Sequence, residues 1–240
     1  MIRGFYTALS GIVESMTRQS IVSDNVANAS TVGFKETLAG AAQLGFNVGA
    51  STGGPSGFIG TGTYASGARL DLAQGALQET GIATDLAIQG DGLFAVMTNT
   101  GAVAYTRAGD FKADAAGHLV TEEGYKVLDV TGKPVNITAG TGNFNVLADG
   151  TVAETGQKIA VLGIPAAGLG RLGANLYEPK GPVALITPDV RQATLEASNT
   201  DMGGAMTELI SLQRSFQLAS RALTLQDQSL GDANALGRLK

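Results

Sequence analysis

The 240-residue chain has 16 Lys and Arg against 21 Asp and Glu, a net charge of −5, and 44% hydrophobic residues; this excludes a wholly disordered chain and argues against a nucleic-acid partner, which needs a Lys/Arg patch to displace phosphate counterions. Cysteine is absent and His118 is the only histidine, which excludes disulfides, thiolate or multi-histidine metal sites and cysteine nucleophiles. The 34 glycines, about twice the usual share of roughly 7%, point to many tight turns between short strands.

Residues 2–29 read as an amphipathic helix. Ile2, Phe5, Leu9, Ile12 and Met16 follow a 3–4–3–4 spacing, widened by Tyr6, Ala8 and Val13. The seam is coiled-coil-like, weakens at Gln19 and Ser23, and meets a stop signal at Gly33. Arg3, Glu14 and Arg18 interrupt the apolar run that a cleaved signal peptide requires, and no segment approaches the ~20 apolar residues of a membrane span.

Residues 39–68 are rich in Gly, Ala, Ser and Thr, including Gly53-Gly54-Pro55-Ser56-Gly57 and Gly60-Thr61-Gly62. Residues 37–70 are therefore expected to form an extended linker with little regular structure. From 71 to 197 strand-like runs alternate with turn residues: Leu86–Ile88, Leu93–Met97, Ala102–Tyr105, Tyr125–Val130, Phe144–Leu147 and Ile159–Ile164. Turn signals lie at Asn99-Thr100-Gly101, Asp114-Ala115-Ala116-Gly117, Thr131-Gly132 and Asp149-Gly150, the pattern of a compact antiparallel β domain.

The last helix, predicted over about 202–236, carries the clearest periodicity in the chain. Ala205, Leu209, Leu212, Phe216, Ala219, Leu223, Gln226, Leu230 and Ala233 recur at 4–3 spacing after the capping run Ser198-Asn199-Thr200-Asp201. Such a helix would be ~50 Å long, so much of its stripe needs a partner outside a small core. The expected fold is α+β with a mainly β core. A helix of an inner domain fills 1–36, a linker 37–70, a central antiparallel β domain 71–197, and a second inner-domain helix 198–240.

Four segments then resemble a known family. Ser23-Asp24-Asn25-Val26-Ala27-Asn28-Ala29-Ser30-Thr31-Val32-Gly33-Phe34-Lys35 is similar to the N-terminal signature of bacterial flagellar axial proteins, departing where Asp24 replaces an Asn. Asp85-Leu86-Ala87-Ile88-Gln89-Gly90-Asp91-Gly92-Leu93-Phe94 and Tyr105-Thr106-Arg107-Ala108-Gly109-Asp110-Phe111 resemble the β-domain signature of rod and hook proteins. Ser198–Asp201 with Gln213-Arg214-Ser215-Phe216 resembles the terminal-helix motif.

The resemblance implies a structural subunit of the flagellar basal-body rod, exported without a cleaved signal and polymerised into a hollow shaft. Its implied partners are copies of itself, other rod and hook proteins, the export apparatus and surrounding ring proteins, with no nucleic acid and no small-molecule substrate. Gly57-Phe58-Ile59-Gly60-Thr61-Gly62 resembles the distal-rod linker, but proximal-rod paralogues share most motifs, and the choice between them stays open. A hook subunit and a coiled-coil dimeric binding module are the alternatives.

The expected subunit interface is Phe5, Leu9, Ile12, Met16, Asn25, Asn28, Phe34, Leu209, Leu212, Phe216, Leu223 and Leu230. Asn25 and Asn28 either bond a neighbouring subunit or end the helix locally. Gly33-Phe34 reads either as a chain reversal with an aromatic anchor or as a plain helix stop before a core Phe.

Enzyme readings lack a constellation, and no cofactor is expected. Gly60-Thr61-Gly62-Thr63-Tyr64-Ala65 fits a dinucleotide fingerprint only in spelling, without the flanking strand and helix. Gly90-Asp91-Gly92 reads as a β-turn, Glu122-Glu123 as a solvated hairpin tip, and His118 as a residue beside a turn rather than a base.

Overall fold

The computed structural model describes residues 2–48, 57–137, 144–163, 168–173, 175–186 and 188–237. Helix α1 spans Ile2–Ala27 and α2 spans Met202–Gly237. The chain divides into one unit of residues 1–27, 37–69 and 201–240 and another of 28–36 and 70–200.

In the first unit, α1 and α2 run antiparallel. Arg18 ion-pairs with Glu208 near the start of α2, whereas a Cβ on Gly4 would meet Gln226, 18 residues farther along. Arg18 also reaches Glu14, one turn earlier, at 3.3 Å. Val22, Ala205 and Leu212 form a small buried cluster with Val26 and Leu209 against it.

Residues 37–70 depart from the expected unstructured linker. Strands β1 (Thr37–Val48) and β2 (Gly57–Leu70) pair in a two-stranded sheet. The Gly53-Gly54-Pro55-Ser56 run itself lies outside the described residues. Small side chains carry little strand signal, but they let the ribbon approach α1 closely. Thr7 Oγ1 donates to the Thr61 carbonyl at 3.2 Å, Thr63 N–H donates to Ser10 Oγ at 3.2 Å, and a Cβ on Gly62 would come within 2.5 Å of that hydroxyl.

The second unit is antiparallel β. Its strands are β3 (Leu77–Glu79), β4 (Leu86–Gln89), β5 (Leu93–Met97), β6 (Val103–Thr106), β7 (Lys112–Ala113), β8 (Leu119–Val120) and β9 (Lys126–Val127), then β10 (Val161–Gly163), β11 (Leu169–Gly173), β12 (Leu176–Pro179), β13 (Ala184–Leu185), β14 (Asp189–Gln192) and β15 (Thr194–Glu196). Among the described residues, the main sheet runs β11-β12-β6-β5-β9-β8-β7, with β10 also on β5 and β13 on β10. Separately, β14 pairs with β4 and β15 with β3. Residues 144–147 form an isolated bridge at Val146 rather than the expected strand.

The core gathers Leu86, Ile88, Val96, Leu119, Val127 and Ile159 around Phe94 and Phe111, whose rings meet edge to face at 5.2 Å. Gly101, Gly117, Gly132 and Gly150, the glycines of the four turn signals, all have φ between 80° and 82°, the left-handed region that a tight hairpin reserves for glycine.

Candidate functional site

Much of the periodic apolar stripe of α1 stays exposed. Phe5, Leu9 and Met16 are 42%, 41% and 56% exposed, with Val13 and Tyr6 also exposed, whereas Glu14, Ser15, Val22 and Asn25 are buried. Ile12 is half-buried. At 100° per residue, Phe5, Leu9, Val13 and Met16 share one side of the helix, and Gly11, Ser15, Arg18 and Val22 the other. Along α2 the expected seam does turn inward over much of its length: Leu212 is buried and Leu209, Phe216 and Leu223 are half-buried. Leu230, four residues past the Gln226 that faces Gly4, is 42% exposed. Met202, Met206 and Ile210 form a second exposed row at i, i+4, i+8.

The Asn-rich signature is engaged within the chain. Asn25 is 2% exposed; its Oδ1 accepts from Thr37 N–H at 3.0 Å and its Nδ2 donates to the Thr37 carbonyl at 2.9 Å. Asn28 Oδ1 accepts from Thr31 Oγ1 at 3.3 Å, and its carbonyl accepts from Thr31 N–H at 3.0 Å, so it builds the turn that follows α1.

Gly33 reverses the chain at φ 64°. A Cβ there would lie 2.4 Å from the main-chain carbon of Arg107, so the residue must be glycine for contact as well as conformation. Phe34, next in line, is fully buried, with the Arg171 guanidinium over its ring at 4.4 Å.

Beyond Phe34 three of the four signature segments meet at one buried ion triad, completed by Glu196 just ahead of the fourth. Lys35 Nζ lies 2.6 Å from Glu196 Oε1 and 2.7 Å from the Ala73 carbonyl; Arg107 Nε lies 2.6 Å from Glu196 Oε2. All three side chains are at most 3% exposed. Arg107 also donates to the carbonyls of Ile88, Gly90 and Gly92, and Gly75 N–H donates to Glu196 Oε1 at 2.8 Å. Burial, acting against the pairing with Glu196, holds the Lys35 ammonium below its ordinary pKa.

Asn199 closes the same region: its Oδ1 accepts from Glu36 N–H at 2.7 Å, and its Nδ2 donates to the carbonyls of Asp71 and Ala73. Arg107 and Glu196 are absent from the expected site residues. Arg107 stood inside a recognisable motif without a role, and Glu196 sits two residues ahead of one.

The remaining candidates take plain structural places. Gly90-Asp91-Gly92 aims carbonyls at a cation, the reverse of a phosphate nest. His118 is half-buried beside its turn, with its N–H donating to Asp114 Oδ1 at 2.7 Å. Glu122 and Glu123 are exposed. Among the described residues no three His, Asp or Glu side chains are placed to hold a metal ion, and no helix is long and apolar enough to cross a membrane.

Three family models match the chain in the order of these features. The "flagella basal body rod protein" model covers residues 5–35, the "flagellar hook protein FlgE/F/G D1 domain" 87–154, and the "flagellar basal body rod FlgEFG protein C-terminal" 191–236. Similar curated proteins include the flagellar basal-body rod protein FlgG of Bacillus subtilis, 33% identical over 99% of this chain and 100% of that one, and FlgG of Borreliella burgdorferi, 30% identical over the same shares. The flagellar basal-body rod protein FlgF of Rhizobium meliloti is 33% identical over 97% of each chain.

Proposed function

Since the chain belongs to the flagellar basal-body rod protein family, we propose that it is a structural subunit of the basal-body rod, polymerising into the hollow shaft between motor and hook rather than catalysing a reaction. The observation that carries this reading is the outward apolar face of α1, formed by Phe5, Leu9, Val13 and Met16. About half exposed, each such side chain forgoes about half of the roughly 1.5–3 kcal/mol that full burial gives, and a contiguous exposed stripe of this kind is the mark of an interaction surface.

In the proposed polymer this face packs, coiled-coil fashion, against the helices of neighbouring subunits, with the second exposed row Met202, Met206 and Ile210 and the α2 end at Leu230 as further contact surfaces. Contacts of unlike faces continue helically instead of closing a small oligomer. Leu209, Leu212, Phe216 and Leu223 hold α2 on α1 and complete the inner helical layer. Asn25, Asn28 and Phe34 serve assembly indirectly, by fixing the chain after α1. The partners are further copies of this chain, other rod and hook proteins, the export apparatus and the surrounding rings. The rod names of the similar proteins favour a rod subunit over a hook subunit.

The test is immunogold electron microscopy of a tagged chain in purified hook–basal bodies beside a deletion strain. Label on the shaft below the hook, with assembly arrested there in the deletion, is the expected result. Label on the curved extracellular segment would make it a hook protein, and absence from basal bodies would refute the reading.

A further inference from the structure

The ion triad joins parts of the second unit that are far apart in sequence: 161 residues separate Lys35 from Glu196, and 89 separate Arg107 from Glu196. The two cations belong to the early and middle chain, and the carboxylate that pairs with both stands on the unit's final strand. The turn between β4 and β5 is shaped around Arg107, which takes the carbonyls of Ile88, Gly90 and Gly92. Gly33 N–H, two residues before Lys35, donates to the main-chain carbonyl of Glu196 at 2.7 Å. The last two strands of the unit, β14 and β15, pair with its first two, β4 and β3.

We infer that Glu196 is a folding latch: the second unit settles only when this carboxylate arrives between Lys35 and Arg107. Without it, two unpaired cations would have to enter a site that leaves them at most 3% exposed, and each buried ion without its partner is strongly destabilising. The length of the loop to be closed is a minor obstacle, because closure entropy grows only with the logarithm of length. What withholds folding is the missing charge. Delivered from either end, the chain has both halves of the latch only once the whole stretch 35–196 is available, so the unit stays open until nearly all of it has emerged.

The test uses the full-length chain, diluted from denaturant, with pulse-labelled hydrogen exchange read at the backbone amides of β4 and β5. Glu196→Gln keeps the shape and removes the charge. The latch predicts refolding slowed by about 100-fold with unfolding changed little, because the pairing already belongs to the transition state. Lys35→Met combined with Glu196→Gln restores the local charge of the native site and returns the refolding rate to within about tenfold of it. Faster unfolding at an unchanged refolding rate would overturn the latch and leave a late-forming clamp, and no change in either rate would overturn it outright. If Glu196→Gln fails to fold, recovery of folding in the double variant supports the latch, and its continued failure refutes it.

Discussion

The Asn25 carboxamide bonds both main-chain groups of Thr37, at 3.0 Å and 2.9 Å, so a side chain near the end of α1 serves as the strand partner for the first residue of β1. Asn25→Ala costs that half-buried main chain both bonds, at about 1–3 kcal/mol. Asn25→Asp keeps the acceptor, loses the donor and sets a carboxylate against the Thr37 carbonyl. Hydrogen exchange at Thr37 should accelerate in Asn25→Ala, which loses the acceptor of the Thr37 N–H; unchanged protection there would remove Asn25 from this role.

Gly33→Ala and Gly101→Ala form a matched pair. Both glycines have positive φ, but an added Cβ meets main chain at 2.4 Å at Gly33 and open space at Gly101. The Gly101 variant should cost about 1 kcal/mol for conformation alone. The Gly33 variant should cost clearly more in chemical denaturation, because Arg107 would have to move. Equal losses would show that contact adds nothing.

Leu9→Lys and Met16→Lys separate assembly from folding. Both positions are exposed on the outward face of α1, so each variant should stay within about 0.5 kcal/mol of the parent in stability. Each should nevertheless fail to support basal-body assembly in a complementation assay. His118→Ala, beside its turn, should assemble normally.

Asp110 sets a pH dependence of known sign. Burial first, then the neighbouring charges of Glu122, Glu123 and Asp85, hold its carboxyl above the ordinary 3.8. An acid whose folded value is raised binds its proton more tightly in the folded state, so its contribution falls as pH rises from 3.8 through that higher value. Asp110→Asn should therefore stabilise the chain at pH 7, with the gain vanishing below pH 3.8. A loss of stability at pH 7, by denaturant titration, would reverse the assignment.

The helices were legible because apolar spacing is a local signal: expected spans of 2–29 and about 202–236 stand beside Ile2–Ala27 and Met202–Gly237. The hairpin turns were legible for the same reason, since the glycine needed at φ near 80° is written at the turn itself. Periodicity marked the stripe of Phe5, Leu9 and Met16 but could not say what it faces. Glu14, Ser15 and Asn25 are buried instead, and Glu14 and Asn25 are held by specific bonds that a hydropathy pattern does not register. The β1–β2 ribbon escaped notice because Ala, Gly, Ser and Thr give no alternation to read. The triad was hidden by distance along the chain: nothing near Lys35 announces that its partner is Glu196.

The absence of cysteine in the chain permits the most direct test of the outward helix face. Met16→Cys, in a tagged functional chain, should react rapidly with a maleimide in the soluble protein, where Met16 is 56% exposed. In isolated basal bodies it should be protected until the shaft is dissolved. Equal reactivity in the soluble and assembled states would contradict the claim that this face builds the rod.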